Sequence, residues 1–268
     1  MSKITHFILD VLNHHPSLKA WLKRMLAPWR AAGGVSSHYV EMKLAEADAE
    51  SARLRGAWQD NDLPKRQREL VDRQLADYKM GAAIDVFDVM VEALRELPKG
   101  QRRTSVLEVG CSSGFYSEVF DIAGLDVDYA GADYSDAFIA LAREKYPALA
   151  FDVEDATALR YADDSFDVVI SGCCLLHIPE YETAVAETAR VARRYAVFHR
   201  TPVVLDQPNR YFRKLAYGVE TVEIHFNEAQ FLDLLRGHGL ELMRTWTLSE
   251  DPPDAPVNAV RSYLCRVL

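Results

Sequence analysis

The chain has 268 residues, 49% of them hydrophobic and 26% charged, with a formal net charge of −9 at pH 7. That length accommodates one α/β domain plus an added segment, with apolar content enough for a sizeable core. An acidic chain is a poor partner for phosphate backbones, so nucleic acid is excluded as a substrate, and no stretch approaches the ~20 apolar residues of a membrane span.

Residues 1–35 have apolar positions at 4, 7, 8, 11 and 12, then at 18, 21, 22, 25, 26 and 29. Both sets follow helical spacing, with Pro16 between them. The second sets Trp21, Leu22, Met25, Leu26 and Trp29 against Lys19, Lys23, Arg24 and Arg30. Such a basic amphipathic helix packs on its own domain or on a second copy of the chain, or lies peripherally on an anionic membrane. The first apolar stretch is interrupted by Thr5, His6 and Asp10 and has no cleavage-like site, so no signal peptide is expected. Gly33 and Gly34 mark a hinge.

Residues 36–99 read as helical throughout, a cap or lid broken near 60–64. There Asp62 and Pro64 give a helix-start signal, a capping acid followed by a proline whose missing N–H costs nothing in the first turn. Leu70, Val71, Leu75, Tyr78 and Met80 then fall along one side. Ile84, Val86, Phe87, Met90, Val91 and Leu94 continue into a helix suited to packing on a sheet.

An apolar run at 106–109, interrupted by Glu108, leads into Gly110, Cys111, Ser112, Ser113 and Gly114. This describes a strand ending in a glycine turn that lets backbone approach a ligand closely. A dinucleotide site would want glycine at 112 and 115 as well, where Ser112 and Phe115 stand. Glu108 also suits a cationic ligand better than a diphosphate, which points to S-adenosylmethionine. The next run, 127–132, ends in Asp133, 19 residues after Gly114, at the spacing of an acid that holds both ribose hydroxyls. Runs at 148–153 and 166–171 end in Asp155-Ala156 and in Ser171. Each polar group falls at the carboxyl end of a predicted parallel strand, where open α/β sheets bind ligands.

A fifth strand, 195–198, ends in His199 and Arg200. Residues 201–226 then interrupt the alternation with Tyr211, Phe212, Tyr217 and Phe226 among several charges. Asn227 and Gln230 resemble a capping box opening a helix over 227–237, and strands at 240–248 and 257–267 close the chain. The four cysteines, at 111, 173, 174 and 265, have no paired spacing and read as reduced thiols of a cytoplasmic protein.

Residues 104–200 resemble the core of the class I S-adenosylmethionine-dependent methyltransferases of small-molecule type, with Ser112 replacing the usual middle glycine of the first motif. The resemblance assigns cofactor contacts to Glu108, Gly110, Cys111, Gly114, Asp133, Tyr134, Asp155, Ala156 and Ser171. It implies a Rossmann-like, doubly wound α/β fold over 100–268. The sheet is then mostly parallel and seven-stranded, with an antiparallel C-terminal hairpin, an insertion at 201–226 and a helical N-terminal extension. It also implies that Arg73 or Tyr78 meets the methionine carboxylate or roofs the site, although the residues alone read equally as a solvated arginine and a core tyrosine.

Methyl transfer is an in-line displacement, so the protein mainly aligns the reactants and excludes water. A hydroxyl acceptor needs a base, and His177 and His199, at adjacent strand ends, are the candidates. Each reads equally as a packing residue. Glu223 and His225 are further candidates. No Asx-Pro-Pro-aromatic amine clamp follows Ser171, no Cys/His set has metal-ligand spacing, and no Gly-x-Ser-x-Gly elbow is present. The expectation is methyl transfer to a hydroxyl of a small molecule or glycoconjugate. The alternatives are an N-methyltransferase and a non-catalytic cofactor-binding scaffold.

Overall fold

The computed structural model describes residues 36–98, 100, 102–251 and 258–268. The basic helices expected within 1–35, and the membrane or oligomer contacts attached to them, lie outside the described residues.

The described chain enters through strand β1 (Ser36–Met42), helix α1 (Leu44–Leu54), a 3-10 turn (Arg55–Gln59), α2 (Leu63–Lys79) and α3 (Asp85–Arg95). Strands and helices then alternate as β2 (Thr104–Val109), α4 (Tyr116–Ile122), β3 (Val127–Asp133), α5 (Asp136–Lys145), β4 (Ala150–Val153) and β5 (Phe166–Gly172). A 3-10 turn (Leu175–His177) leads to α6 (Tyr181–Val191), β6 (Ala192–Val204), β7 (Arg210–Ala216) and β8 (Val219–Asn227). The chain closes with α7 (Glu228–Gly237), β9 (Leu240–Glu250) and β10 (Asn258–Val267).

β2 pairs in parallel with both β3 and β5, β3 with β4, and β5 with β6. β10 runs antiparallel between β6 and β9. These are the seven expected strands. From β2 the chain adds β3 and β4 on one side, then crosses to add β5 and β6 on the other. The carboxyl ends of β2 and β5 therefore flank a topological switch point, the crevice in which such sheets hold ligands. Val168, Val169 and Ile170 are all fully buried, as a parallel strand covered on both faces requires. Successive residues serve opposite faces. Val106, Val168, Ile170 and Val197 pack with Phe87, Met90 and Val91 of α3. On the other face, Ala196 and Phe198 pack with Val185 of α6 and Phe231 of α7.

Two features depart from the sequence reading. Residues 36–42 form a strand, not a helix, and 201–226 holds the last residues of β6 and most of the antiparallel hairpin β7–β8. The sheet thereby gains the order β1-β7-β8-β6, with β8 joined to β6 through Val203↔Phe226 and Val204↔Asn227. Residues 37–41 are exposed, so the open edge of β7, rather than burial, selects the extended conformation there. The cap of α2 also shifts. Asp62 makes no side-chain cap bond, and Asp60 Oδ1 instead accepts from the N–H groups of Asp62 and Leu63. Asn227 caps α7 as expected, accepting from Gln230 N at 2.8 Å. Among the described residues no helix is long and apolar enough to cross a membrane.

Candidate active site

The turn after β2 puts Gly110, Ser112 and Gly114 in the left-handed region, with φ of +75°, +48° and +71°. Serine holds this conformation at Ser112 with help from β3. Its N–H donates to Asp133 Oδ2 at 2.8 Å, while Gly110 and Cys111 donate to the Ala132 carbonyl. The close approach that the glycines allow is to protein atoms. A Cβ on Gly110 would collide with Cys174, and one on Gly114 would lie 2.6 Å from the Phe151 ring. The Ser112 hydroxyl is buried without a hydrogen-bond partner.

Glu108 is 1% exposed and accepts from the Tyr129 hydroxyl at 2.5 Å. Desolvation pushes its carboxyl up to about 8, against the Tyr129 bond, which lowers it. Its Oε1 would lie 2.5 Å from a Cβ on Gly172, so the end of β5 needs glycine to pass over it. Asp133 accepts from Ser112 N and, through Oδ1, from Ser135 N at 2.9 Å. Burial raises it to about 6. The Tyr134 N–H also bonds it, and a carboxylate has about four acceptor positions, so three bonds leave one for a ligand hydroxyl. Asp155 Oδ1 accepts from the N–H and hydroxyl of Thr157, at 2.9 and 2.7 Å, which fixes the turn that presents Ala156. Tyr134 is exposed. The Ser171 hydroxyl lies 3.4 Å from Cys174 Sγ, which in turn donates to the Val109 carbonyl. Burial raises the thiols of Cys111 and Cys174, the latter to about 12, so both pack as neutral groups.

The structure separates the two histidines. His199 is 2% exposed, and its ring nitrogens lie 3.0 Å from the Tyr116 hydroxyl and 2.9 Å from the Ser262 hydroxyl. Burial lowers it to about 3. Both nitrogens are thus committed to the fold, and the sequence candidate at 199 is corrected to a structural residue. His177 is half-buried, its ring tilted 48° to that of Trp58 with centroids 4.6 Å apart, and its Nδ1 lies 2.5 Å from the Val222 carbonyl. A carbonyl only accepts, so Nδ1 bears the hydrogen and Nε2 keeps its lone pair. Burial, with the Lys214 cation second, lowers His177 to about 3, so the ring is neutral near pH 7.

Glu223 and His225 belong to a buried group on the hairpin. Glu223 binds Lys214 Nζ through Oε2 and His225 Nε2 through Oε1. Despite burial, these partners lower Glu223 to about 2. Arg73 and Tyr78 do not reach the strand ends: Arg73 donates to the Glu69 carbonyl, and Tyr78 to Asp88. The lid contacts come from residues that local sequence does not single out. Arg66 Nη1 donates to the Tyr217 carbonyl at 2.6 Å, Gln67 bonds the Tyr217 hydroxyl, and buried Arg68 reaches Tyr146 and Ser113 of the glycine turn.

Paired acids at successive strand ends and an orphaned hydroxyl in the glycine turn fit a ligand with cationic groups and a diol, as S-adenosylmethionine has. The comparisons agree. Residues 107–198 match the family model of the methyltransferase domain. Over 105 residues the chain is 37% identical to a demethylmenaquinone methyltransferase of Renibacterium salmoninarum, covering 39% of this chain and 42% of that protein. Over 124 residues it is 30% identical to a phosphatidylethanolamine N-methyltransferase of Cereibacter sphaeroides, covering 41% and 59%. This chain therefore spans about half the length of these relatives. In fold it resembles the Burkholderia thailandensis 1,6-didemethyltoxoflavin-N1-methyltransferase, solved with its acceptor and S-adenosylhomocysteine, with a TM-score of 0.51 at 17% identity over 85% of this chain and 93% of that one. Geranyl diphosphate C-methyltransferase from Streptomyces coelicolor gives 0.52 at 9% identity, covering 68% and 78%. Residues 107–198 of the α/β core thus carry a methyltransferase domain, within a fold shared with S-adenosylmethionine-dependent methyltransferases.

Proposed function

We propose that this chain transfers a methyl group from S-adenosylmethionine to a hydroxyl of a small molecule or glycoconjugate. Asp133 and Asp155 would hold the nucleoside portion, Glu108 would balance positive charge, and the Ser112 hydroxyl would gain its missing partner from the cofactor. Bound S-adenosylmethionine supplies a methyl group already activated by a sulfonium. The chain's own task is then to orient the acceptor, exclude water and receive one proton.

The observation that carries this reading is the fixed tautomer of His177. Its Nδ1–H is held by the Val222 carbonyl, so Nε2 accepts. A ring lowered to about 3 is a weak base toward a free alcohol. As the new C–O bond forms, however, the hydroxyl becomes strongly acidic, and a weak, well-placed acceptor suffices. The same low basicity supports a second reading, N-methylation of an amine that arrives deprotonated. The acceptors named for the relatives, demethylmenaquinone and phosphatidylethanolamine, differ too much in chemistry to choose between the two.

Transfer of labelled methyl to a panel of hydroxyl and amine compounds tests both readings, with His177→Gln beside the wild type. For a hydroxyl acceptor the variant should lose ~10²–10⁴-fold in turnover with cofactor affinity unchanged. Full turnover of a hydroxyl acceptor by the variant would remove His177 from the reaction. Methylation of amines alone would establish the second reading.

A further inference from the structure

β6 is interrupted where it passes the site. Opposite His199 and Arg200 the pairing with β10 shifts register between Arg261 and Tyr263, and Arg200 adopts φ +58°. A bulge with a left-handed residue redirects a side chain that the pleat would otherwise aim elsewhere, and bulges gather beside active sites for that reason. The backbone is pinned in this form. Arg200 N donates to the Ser262 hydroxyl at 3.3 Å, and the His199 carbonyl accepts from Cys173 N at 3.1 Å.

The side chain so placed has no partner. Arg66, Arg102, Arg160, Arg190 and Arg210 each bind a carboxylate. Among the described residues Arg200 makes no side-chain hydrogen bond, ion pair or ring contact. Cys173, Tyr116, Tyr217 and Glu223 act electrostatically on its charge, and Glu223 is already held by Lys214 and His225. The register His199↔Gly172 puts Arg200 just past the end of β5, beside the loop that runs from the cofactor acids to His177.

Two orphaned polar atoms flank the same loop. Trp58 Nε1, on the ring that packs tilted against His177, is a buried donor without a partner. Gln67 Oε1, on the amide that bonds Tyr217, is a buried acceptor without one. An exposed cation, a buried neutral donor and a buried acceptor, from three separate elements, thus lack protein partners around one loop.

We propose that Arg200 anchors an oxyanion, a carboxylate or phosphate, on the methyl acceptor, with Trp58 Nε1 as a second donor and Gln67 Oε1 accepting from a neighbouring hydroxyl or amine. Within the methyltransferase reading on which it rests, this makes the substrate an anionic small molecule and Arg200 a determinant of its selection. Arginine suits the task because its planar fork meets two oxygens of a carboxylate or phosphate at once.

The test measures oxyanion binding directly, with and without S-adenosylhomocysteine, so it does not depend on finding the true acceptor. Inorganic phosphate, 4-hydroxybenzoate and the neutral 4-hydroxybenzamide are titrated calorimetrically into the wild type and Arg200→Gln. Modification of Arg200 by phenylglyoxal is followed in the wild type by mass spectrometry under the same additions. At least one oxyanion should bind ten-fold or more tightly to the wild type than to the variant and should protect Arg200, while the amide does neither. Preference for phosphate identifies a phosphorylated acceptor, and preference for 4-hydroxybenzoate a carboxylate. Equal oxyanion binding by both proteins, or none, with Arg200 unprotected, overturns the proposal. Failure of S-adenosylhomocysteine to bind would instead count against the cofactor reading and leave the anion result standing by itself.

Discussion

Under the proposed function, Glu108 couples cofactor binding to protons. Its carboxyl, 1% exposed and raised to about 8, is mostly protonated near pH 7 before a cation arrives. A positively charged ligand beside it draws that pKa down. Binding then releases a proton, and a binding step that releases protons strengthens as pH rises. Affinity for S-adenosylmethionine should therefore increase between about pH 6 and 8 and level off above. Calorimetry in two buffers of different ionisation enthalpy should count up to about one proton released, and Glu108→Gln should abolish the effect. Buffer-independent heats in the wild type would mean that Glu108 is already ionised or lies away from the ligand. The acids stand out in the sequence because Asp133 and Asp155 follow apolar runs and Glu108 interrupts one. Their supports do not, since Tyr129 and Gly172 meet Glu108 only across strand pairing, which no local spacing reveals. His199 differs for a related reason: β6 continues past it to Val204, and Tyr116 and Ser262, 83 and 63 residues away in sequence, take both ring nitrogens.

The hairpin β7–β8 stands on a buried charge group. Lys214 and Glu223 are 6% and 7% exposed, and the pair also meets His225. Removing one member of a buried pair strands the other, at a cost of ~3–5 kcal/mol, whereas replacing both by apolar groups is often nearly neutral. Lys214→Met should accordingly lower unfolding stability by about that amount, and Lys214→Met with Glu223→Met by much less. A double-variant loss equal to the sum of the Lys214→Met and Glu223→Met losses, measured by urea denaturation, would show that the two charges act independently. These same residues hid the hairpin from sequence reading. Alternation is the mark of a half-buried strand, and Lys214 and Glu223 put charge on positions that face inward. The turn gave a fainter signal. Tyr217 and Gly218 both have positive φ, +49° and +86°, as a tight two-residue hairpin needs, yet only the second is a glycine. The parallel strands were legible for the opposite reason, because burial on both faces leaves unbroken apolar runs such as 168–170.

Across the molecule, the seven-stranded core carries the acids, and under the proposed function the added elements face the acceptor. α2 and the hairpin meet where Arg66 and Gln67 hold Tyr217, and the 3-10 turn after α1 places Trp58 on His177. Local sequence could not show that the two added segments touch one another, because that contact spans about 150 residues. A crystal structure with S-adenosylhomocysteine tests the whole arrangement in one measurement. The ligand should place a ribose hydroxyl on Asp133 and its amino group near Glu108. Its sulfur should face the loop of Cys173 and His177, opening toward Arg200, Trp58 and Gln67. A ligand bound away from Asp133, or a sulfur facing a wall that contains none of Cys173, His177 and Arg200, would contradict it.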